Sequence, residues 1–271
     1  MPYERIIFEK GEGIATITLN RPDALNAWNE QMTEETIAAI REVSRDEDIR
    51  VLIVTGAGQA FSSGADVGRL EDTFLKGKTP IVETGVGRWM LGKPAAITVA
   101  LELRNLGKPV IAAVNGAAVG VGLSVALACD VRIASEDARF IAAWVKRGLV
   151  PDGGGSYLLP RLVGPGMAAK LIFTGDAIDA KEAARIGMAD EVVSQRDLMK
   201  AAKELARRIA QNPPLALKMA KQTLYRGIDE SDLESQIDYE IYLQYALFNT
   251  EDFKEGLKSF MEKRNPKFVG R

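Results

Sequence analysis

The sequence contains no histidine. Histidine is the side chain whose ordinary pKa lies closest to neutrality, so the commonest acid/base residue of enzymes is missing. Ser-His and Cys-His nucleophile systems are excluded, and a zinc centre loses its commonest ligand. Cysteine is almost absent as well. Cys129 stands alone, which excludes an intrachain disulfide and a cysteine-rich metal site. Neither sign of charge is in surplus: 35 Lys and Arg against 37 Asp and Glu leave a net charge of −2. A broad basic surface is therefore not expected, and neither nucleic acid nor a membrane is expected as a partner. The opening MPYERIIFEKGEG lacks the apolar core of a secretory signal, so a cytoplasmic location is expected. The longest apolar stretch, 109–131, has the length of a membrane span. Pro109, Asn115-Gly116, Gly120, Gly122 and Asp130 interrupt it, and it reads as a buried strand, a turn and a buried helix.

With 46% hydrophobic and 27% charged residues, the 271-residue chain has the composition of a globular protein that builds its core without staples. RIIFEK and GIATITLN (5–10 and 13–20) alternate about a Gly11–Gly13 turn, the pattern of a hairpin. Residues 29–45 carry helical spacing through Met32, Ile37, Ile40 and Val43. RVLIVTG (50–56) and PVIAAV (109–114) are unbroken apolar runs, expected as strands buried on both faces. DVRIA (130–134) and a segment near 188–194 read as further strands. Residues 61–70 read as a loop entering a short helix, and 95–107 as a helix. Residues 74–94 show no clear period and read as a loop or lid, with Glu83, Trp89 and Lys93 as candidate pocket residues. The first two-thirds thus predict a wound α/β core. Amphipathic segments at 197–211, 214–225, 231–247 and 251–263 predict a helical tail suited to packing on another subunit.

Two glycine-rich turns lead into predicted helices: Ser62-Ser63-Gly64-Ala65-Asp66 and Asn115-Gly116-Ala117-Ala118-Val119-Gly120-Val121-Gly122. Free N–H groups at a helix start are donors for an anion. Two such turns facing each other would form an oxyanion hole, where each donor is typically worth ~2.7–4 kcal/mol of transition-state stabilisation. Neither turn fits a phosphate-loop or dinucleotide pattern, and the glycines could equally serve close helix–sheet packing. A third stretch, AWVKRGLVPDGGGS (143–156), sets Asp152 against three consecutive glycines. The acid could cap a helix, or it could work above a backbone cradle.

ITLNRPDALNA (17–27), VLIVTGAGQAFSSGAD (51–66), KPVIAAVNGAAVGVGLSVALACDVRIAS (108–135) and GLVPDGGGSYLLPRLVG (148–164) together resemble the enoyl-CoA hydratase/isomerase, or crotonase, superfamily. The resemblance covers about residues 3 to 264. It implies an α/β fold made of a spiral of ββα units (1–196) and a helical C-terminal region (197–271) that builds trimers or hexamers. It also implies an acyl-CoA thioester substrate, with coenzyme A entering as part of that substrate and no metal or redox cofactor. Carried over by motif, the backbone N–H groups of Ala65 and Val121 look like the oxyanion donors, with valine where the family usually has glycine beside Gly120. Arg21, Leu25, Ala27, Ser63, Asp66 and Val67 match the coenzyme A-contacting segments. Phe260 and Lys263 match a C-terminal pair that often reaches a neighbouring subunit's coenzyme A; otherwise Phe260 is core packing and Lys263 a helix-end cation.

The departures from the family are specific. The two glutamates of a typical hydratase fall here on Ser124 and Trp144. Ser124 could pack a helix or contact water, and Trp144 could wall the acyl pocket. Asp152 occupies a position from which an aspartate shuttles a proton in several isomerases of the superfamily. A pocket lined by Trp144, Val150 and Leu123 would be apolar and would raise the pKa of Asp152. The expected reaction is isomerisation or hydration of an unsaturated acyl-CoA, cyclic acyl groups included. The Trp144/Asp152 spacing is also similar to the 4-chlorobenzoyl-CoA dehalogenase branch, where the carboxylate is a nucleophile and the tryptophan N–H orients it. That branch uses a histidine to activate water, and this chain has none. A non-catalytic homologue is the remaining alternative.

Overall fold

Through the middle of the chain, apolar strands of five or six residues alternate with strands of three, and the two kinds join different sheets. The computed structural model describes residues 3–78 and 80–271. The hairpin is β1 (Ile6–Gly11) and β2 (Ile14–Leu19), paired antiparallel. The apolar runs are β3 (Val51–Gly56), β5 (Val110–Val114) and β7 (Val131–Ser135), with β10 (Glu191–Val193) at the edge. They form a six-stranded sheet in the order β1-β2-β3-β5-β7-β10, parallel from β2 onward. A second sheet contains the short strands β4 (Ala60–Ser62), β6 (Ala117–Val119), β8 (Arg139–Ile141) and β9 (Ala177–Asp179). The chain visits the large sheet, then the small one, then a helix: β3–β4, β5–β6 and β7–β8 each repeat the step. This is the ββα spiral.

The helices follow from capping and periodicity. Asn29 caps α1 (Glu30–Arg45) by accepting the Met32 N–H at 2.9 Å, and Met32, Ile37, Ile40 and Val43 are buried. Asp66 caps α2 (Val67–Phe74). The unpatterned segment 74–94 holds a 3-10 turn and α3 (Gly85–Met90). α4 (Ala96–Asn105), α5 (Val121–Ala128) and α6 (Gly155–Val163) pack in succession behind the small sheet. α7 (Pro165–Thr174) and α8 (Ala180–Arg185) lead to β10. The tail is α9 (Leu198–Ala210), α10 (Pro214–Asp229), α11 (Leu233–Phe248) and α12 (Glu251–Glu262).

One expectation needs adjusting. β4, β6, β8 and β9 are not expected as strands from the sequence, because three residues are too few to show a period of two. Leu198, Ala202 and Ala206 of α9 are buried against Val51, Ile53, Ile111 and Ile133 of the large sheet. α9 therefore covers one face of the large sheet, and Lys221 of α10 is buried against the core behind it. Among the described residues, no helix is long and apolar enough to cross a membrane.

Candidate active site

β4, β6 and β8 lie side by side and parallel, so their carboxyl ends share one edge of the small sheet. In α/β sheets this edge is where ligands bind. The chain leaving β4 reaches Gly64-Ala65, the chain leaving β6 reaches Gly120-Val121, and the chain leaving β8 reaches Trp144. Glycine lets the first two turns meet. Gly64 has φ +95°, and a Cβ there would sit 2.8 Å from the Val119 carbonyl oxygen. A Cβ on Gly122 would sit 2.7 Å from Cβ of Ser62. A side chain at Gly64 would push this turn away from β6, and one at Gly122 would push α5 away from β4.

Both proposed donors are left unbonded. The Gly64 carbonyl accepts the Trp28 N–H at 2.8 Å, and the Asp66 N–H donates to the Trp28 carbonyl at 3.1 Å. The Ala65 N–H between them has no acceptor among the described residues. Val121 is the first residue of α5, where an N–H has no partner within the helix, and its N–H also lacks an acceptor among them. The Val121 side chain is buried and faces the next segment: a Cβ on Gly153 would lie 3.5 Å from its Cγ2.

Asp152 stands on that segment and does not cap α6. The cap position is Gly154, which offers no side chain. Asp152 Oδ1 instead accepts the Trp144 Nε1–H at 2.8 Å. Its main chain is held too: the Ser124 hydroxyl donates to the Asp152 carbonyl at 2.7 Å. Gly153 and Gly154 have φ +55° and +83°, the left-handed region that turns the chain back into α6. Gly155 has no room for a side chain, since a Cβ would fall 2.7 Å from Cη2 of Trp144 and 3.1 Å from the Ser124 hydroxyl. Ser124 and Trp144, expected at the two hydratase-glutamate positions, are thus both buried and both turned onto the Asp152 segment. Burial pushes the Asp152 carboxyl above its usual range, and the Trp144 N–H pulls it part of the way back. Of the expected apolar lining, Leu123 is buried, but Val150 is 79% exposed and does not wall the site.

The expected coenzyme A segments converge on the first turn. Arg21 bonds Asp66 Oδ2 at 2.9 Å and the Ala27 carbonyl, tying the 21–27 loop to the cap of α2. The Ser63 N–H donates to the Leu25 carbonyl at 2.9 Å. Leu25 and Val67 keep exposed side chains beside this seam, and Ala27 is buried. Phe260 and Lys263 are not brought to the site within the chain. Phe260 is 83% exposed on α12, in a groove shared with Pro213, Leu247 and Phe268, and Lys263 ends that helix. In the 74–94 segment Trp89 is exposed. The unforeseen anchor there is Arg88, buried and bonded to the Pro94 carbonyl at 2.7 Å and to Glu34. Arg88 also lies 3.9 Å from Glu83, an expected pocket residue, but its closer partner Glu34 is on α1 and is not marked by the local sequence.

The enoyl-CoA hydratase/isomerase family model matches residues 9–271. The chain is 41% identical over 267 residues to a short-chain-enoyl-CoA hydratase of Clostridium acetobutylicum, with 97% of each covered. It is 36% identical over 268 residues to the 1,2-epoxyphenylacetyl-CoA isomerase of Escherichia coli, with 99% of each covered. Among solved structures, the enoyl-CoA hydratase of Bacillus anthracis superimposes with a TM-score of 0.91 at 34% identity, covering 99% of this chain and 100% of the other. The fold and these matches define an enzyme of the acyl-CoA hydratase/isomerase class. The chain belongs to the enoyl-CoA hydratase/isomerase family, with the crotonase fold.

Proposed function

We propose that the chain isomerises or hydrates an unsaturated acyl-CoA through a thioester enolate, with Asp152 as its acid/base. The N–H groups of Ala65 and Val121 receive the thioester oxygen as it gains charge. The Asp152 carboxylate takes a proton from one carbon of the acyl group and returns one to another on the same face. In isomerisation it removes the proton from the α or γ carbon, the double bond shifts, and the carboxyl delivers a proton at the other end after exchanging with water while the enolate stands. One carboxylate suffices, because no group other than the proton is transferred. The observation that carries the reading is the Asp152 carboxylate itself: half-buried, raised in pKa, aligned by the Trp144 N–H and free at its second oxygen among the described residues. A raised pKa makes a carboxylate a better proton carrier.

The reading extends to a trimer or hexamer assembled through the tail, and to the cytoplasm. Ile237, Ile241, Tyr242 and Tyr245 give α11 an exposed apolar face suited to self-association. The test is proton exchange in D₂O with 2-enoyl-CoA and 3-enoyl-CoA esters, including a cyclohexene-carbonyl-CoA, followed by NMR. The wild type should place deuterium at the α or γ carbon and Asp152→Asn should not; products then separate isomerase from hydratase. Full exchange by Asp152→Asn would refute the assignment. The Trp144–Asp152 bond is also what a nucleophilic carboxylate would use on an aroyl-CoA. Chloride release from 4-chlorobenzoyl-CoA, with no exchange on any enoyl ester, would transfer the site to that reaction.

A further inference from the structure

Gly153 and Gly154, the two residues after Asp152, also line a cleft of about 440 Å³. Ile97 and Leu101 of α4 and Leu158 of α6 give it apolar sides. Its polar part is built around Arg104, in the last turn of α4. The Arg104 guanidinium carbon sits 3.3 Å above the ring of Tyr225 on α10. That ring is fixed in turn. The Tyr225 hydroxyl donates to Asp130, whose other oxygen accepts the buried Lys221 ammonium at 2.9 Å and the Val110 N–H at 2.7 Å. Stacking on an immobilised tyrosine removes much of the freedom an arginine otherwise loses on binding.

Yet Arg104 has no ion-pair partner within 4.0 Å and makes no hydrogen bond among the described residues. Its five N–H donors are unused, in a half-buried position. The neighbouring charges do not cancel it. Asp229 lies in the same cleft, but it is bonded by Arg161 at 3.1 Å and by the Tyr157 hydroxyl. Lys221 and Asp130 neutralise each other. One positive charge is left over, held rigid at the polar end of an apolar cleft that begins at the residue after the proposed acid/base.

We propose that this cleft receives the far end of the acyl group, and that Arg104 binds a carboxylate there, so that the preferred substrates are acyl-CoA esters whose chain ends in a carboxylate. The proposal rests on the reading that Asp152 marks the acyl pocket. A guanidinium meets a carboxylate through two parallel N–H···O bonds, a geometry that a methyl-ended chain cannot use. The apolar sides suit the methylene groups between thioester and carboxylate. A methyl-ended chain entering the same cleft would cover the guanidinium without satisfying it.

Binding of saturated esters tests this independently of turnover, because they offer no double bond to move. Titration calorimetry would compare butanedioyl-, hexanedioyl- and octanedioyl-CoA with butanoyl-, hexanoyl- and octanoyl-CoA on the full chain. At the chain length that spans the cleft, the carboxylate ester should bind about ten- to a hundredfold more tightly than its methyl-ended partner, an advantage that salt weakens. Arg104→Met should abolish the advantage, and Arg104→Lys should keep part of it. Equal affinities at every length in the wild type would overturn the proposal even if a variant failed to fold. So would an advantage that survives in Arg104→Met. Failure of the Asp152 reading would appear separately, as unchanged deuterium exchange in Asp152→Asn.

Discussion

The Trp144→Phe variant isolates one hydrogen bond on the proposed acid/base. Phenylalanine keeps an aromatic ring in the buried position but removes the N–H that reaches Asp152 Oδ1 at 2.8 Å. It also leaves a gap where Cη2 of the indole meets Gly155. A hydrogen bond to a charged group is worth about 1.5–3 kcal/mol. Here it favours the ionised carboxylate over the neutral acid, so about that energy weights the ionisation equilibrium. At 1.36 kcal/mol per tenfold, the ionised fraction in acid should fall by about ten- to a hundredfold. The direction follows from the two opposing causes: burial raises the carboxyl and Trp144 lowers it, so losing Trp144 raises it further. Asp152 must be ionised to accept a proton. The acid limb of the pH–rate profile should therefore move to higher pH. Deuterium entry at the α carbon of an enoyl-CoA, followed by NMR across the pH range, reads this directly. The deficit should be largest below the limb and shrink above it, where only the lost alignment remains. An acid limb that stays in place, or an equal loss at every pH, would refute the reasoning.

Two further outcomes follow from the same geometry. Val121→Pro removes the second proposed oxyanion donor at the first position of a helix, where proline is well tolerated. It should lower kcat by about 10²–10³-fold with thioester binding retained, while Val121→Ala, which keeps the N–H, should not; steady-state kinetics and calorimetry distinguish them. Asp152→Asn, though inactive, should melt higher than the wild type at neutral pH. The folded carboxyl has the higher pKa, so the folded state holds its proton more tightly than the unfolded one. That stabilisation is complete below the unfolded pKa of about 4 and is lost as pH rises through the folded value. The neutral asparagine never loses it, and thermal melts across pH should show the gap closing in acid.

The large sheet was legible because its strands are long and apolar enough to stand out: 50–56 and 109–114 became β3 and β5 with one residue trimmed from each start. The small sheet was not, because β4, β6 and β8 are each three residues long and are defined by parallel partners distant in sequence. That sheet nevertheless decides the candidate site, since its carboxyl edge brings Ala65, Val121 and Trp144 together. The glycines at 64, 120 and 122 were visible as turns, but the need for Gly64 and Gly122 lies in close approaches to Val119 and Ser62 that only the folded chain contains, and that for Gly120 in its φ of +53°. Arg104 was invisible for the same reason. One arginine on a helix looks like any surface cation until the aromatic ring beneath it, and the lack of an ion-pair partner among the described residues, are known.

Ser124 and Trp144 show why the missing glutamates are more than a loss. Had those positions simply been emptied of acid, small or solvated side chains would serve, and the Asp152 segment would be free to move. Instead the serine hydroxyl holds the Asp152 carbonyl and the indole N–H holds its carboxylate, so the two positions restrain the main chain and the side chain of one residue. Gly153 and Gly155 complete the arrangement by leaving room for those side chains and no others: a Cβ at either would come within 3.1 Å or less of Ser124 or Trp144. Restoring a glutamate at 124 alone would therefore not recreate a two-acid site. Its longer side chain would have to displace the Gly153 backbone, and the hydroxyl that anchors Asp152 would be gone. On the proposed reading the acid/base is Asp152 together with its two supports, and the three residues have to be read as a unit.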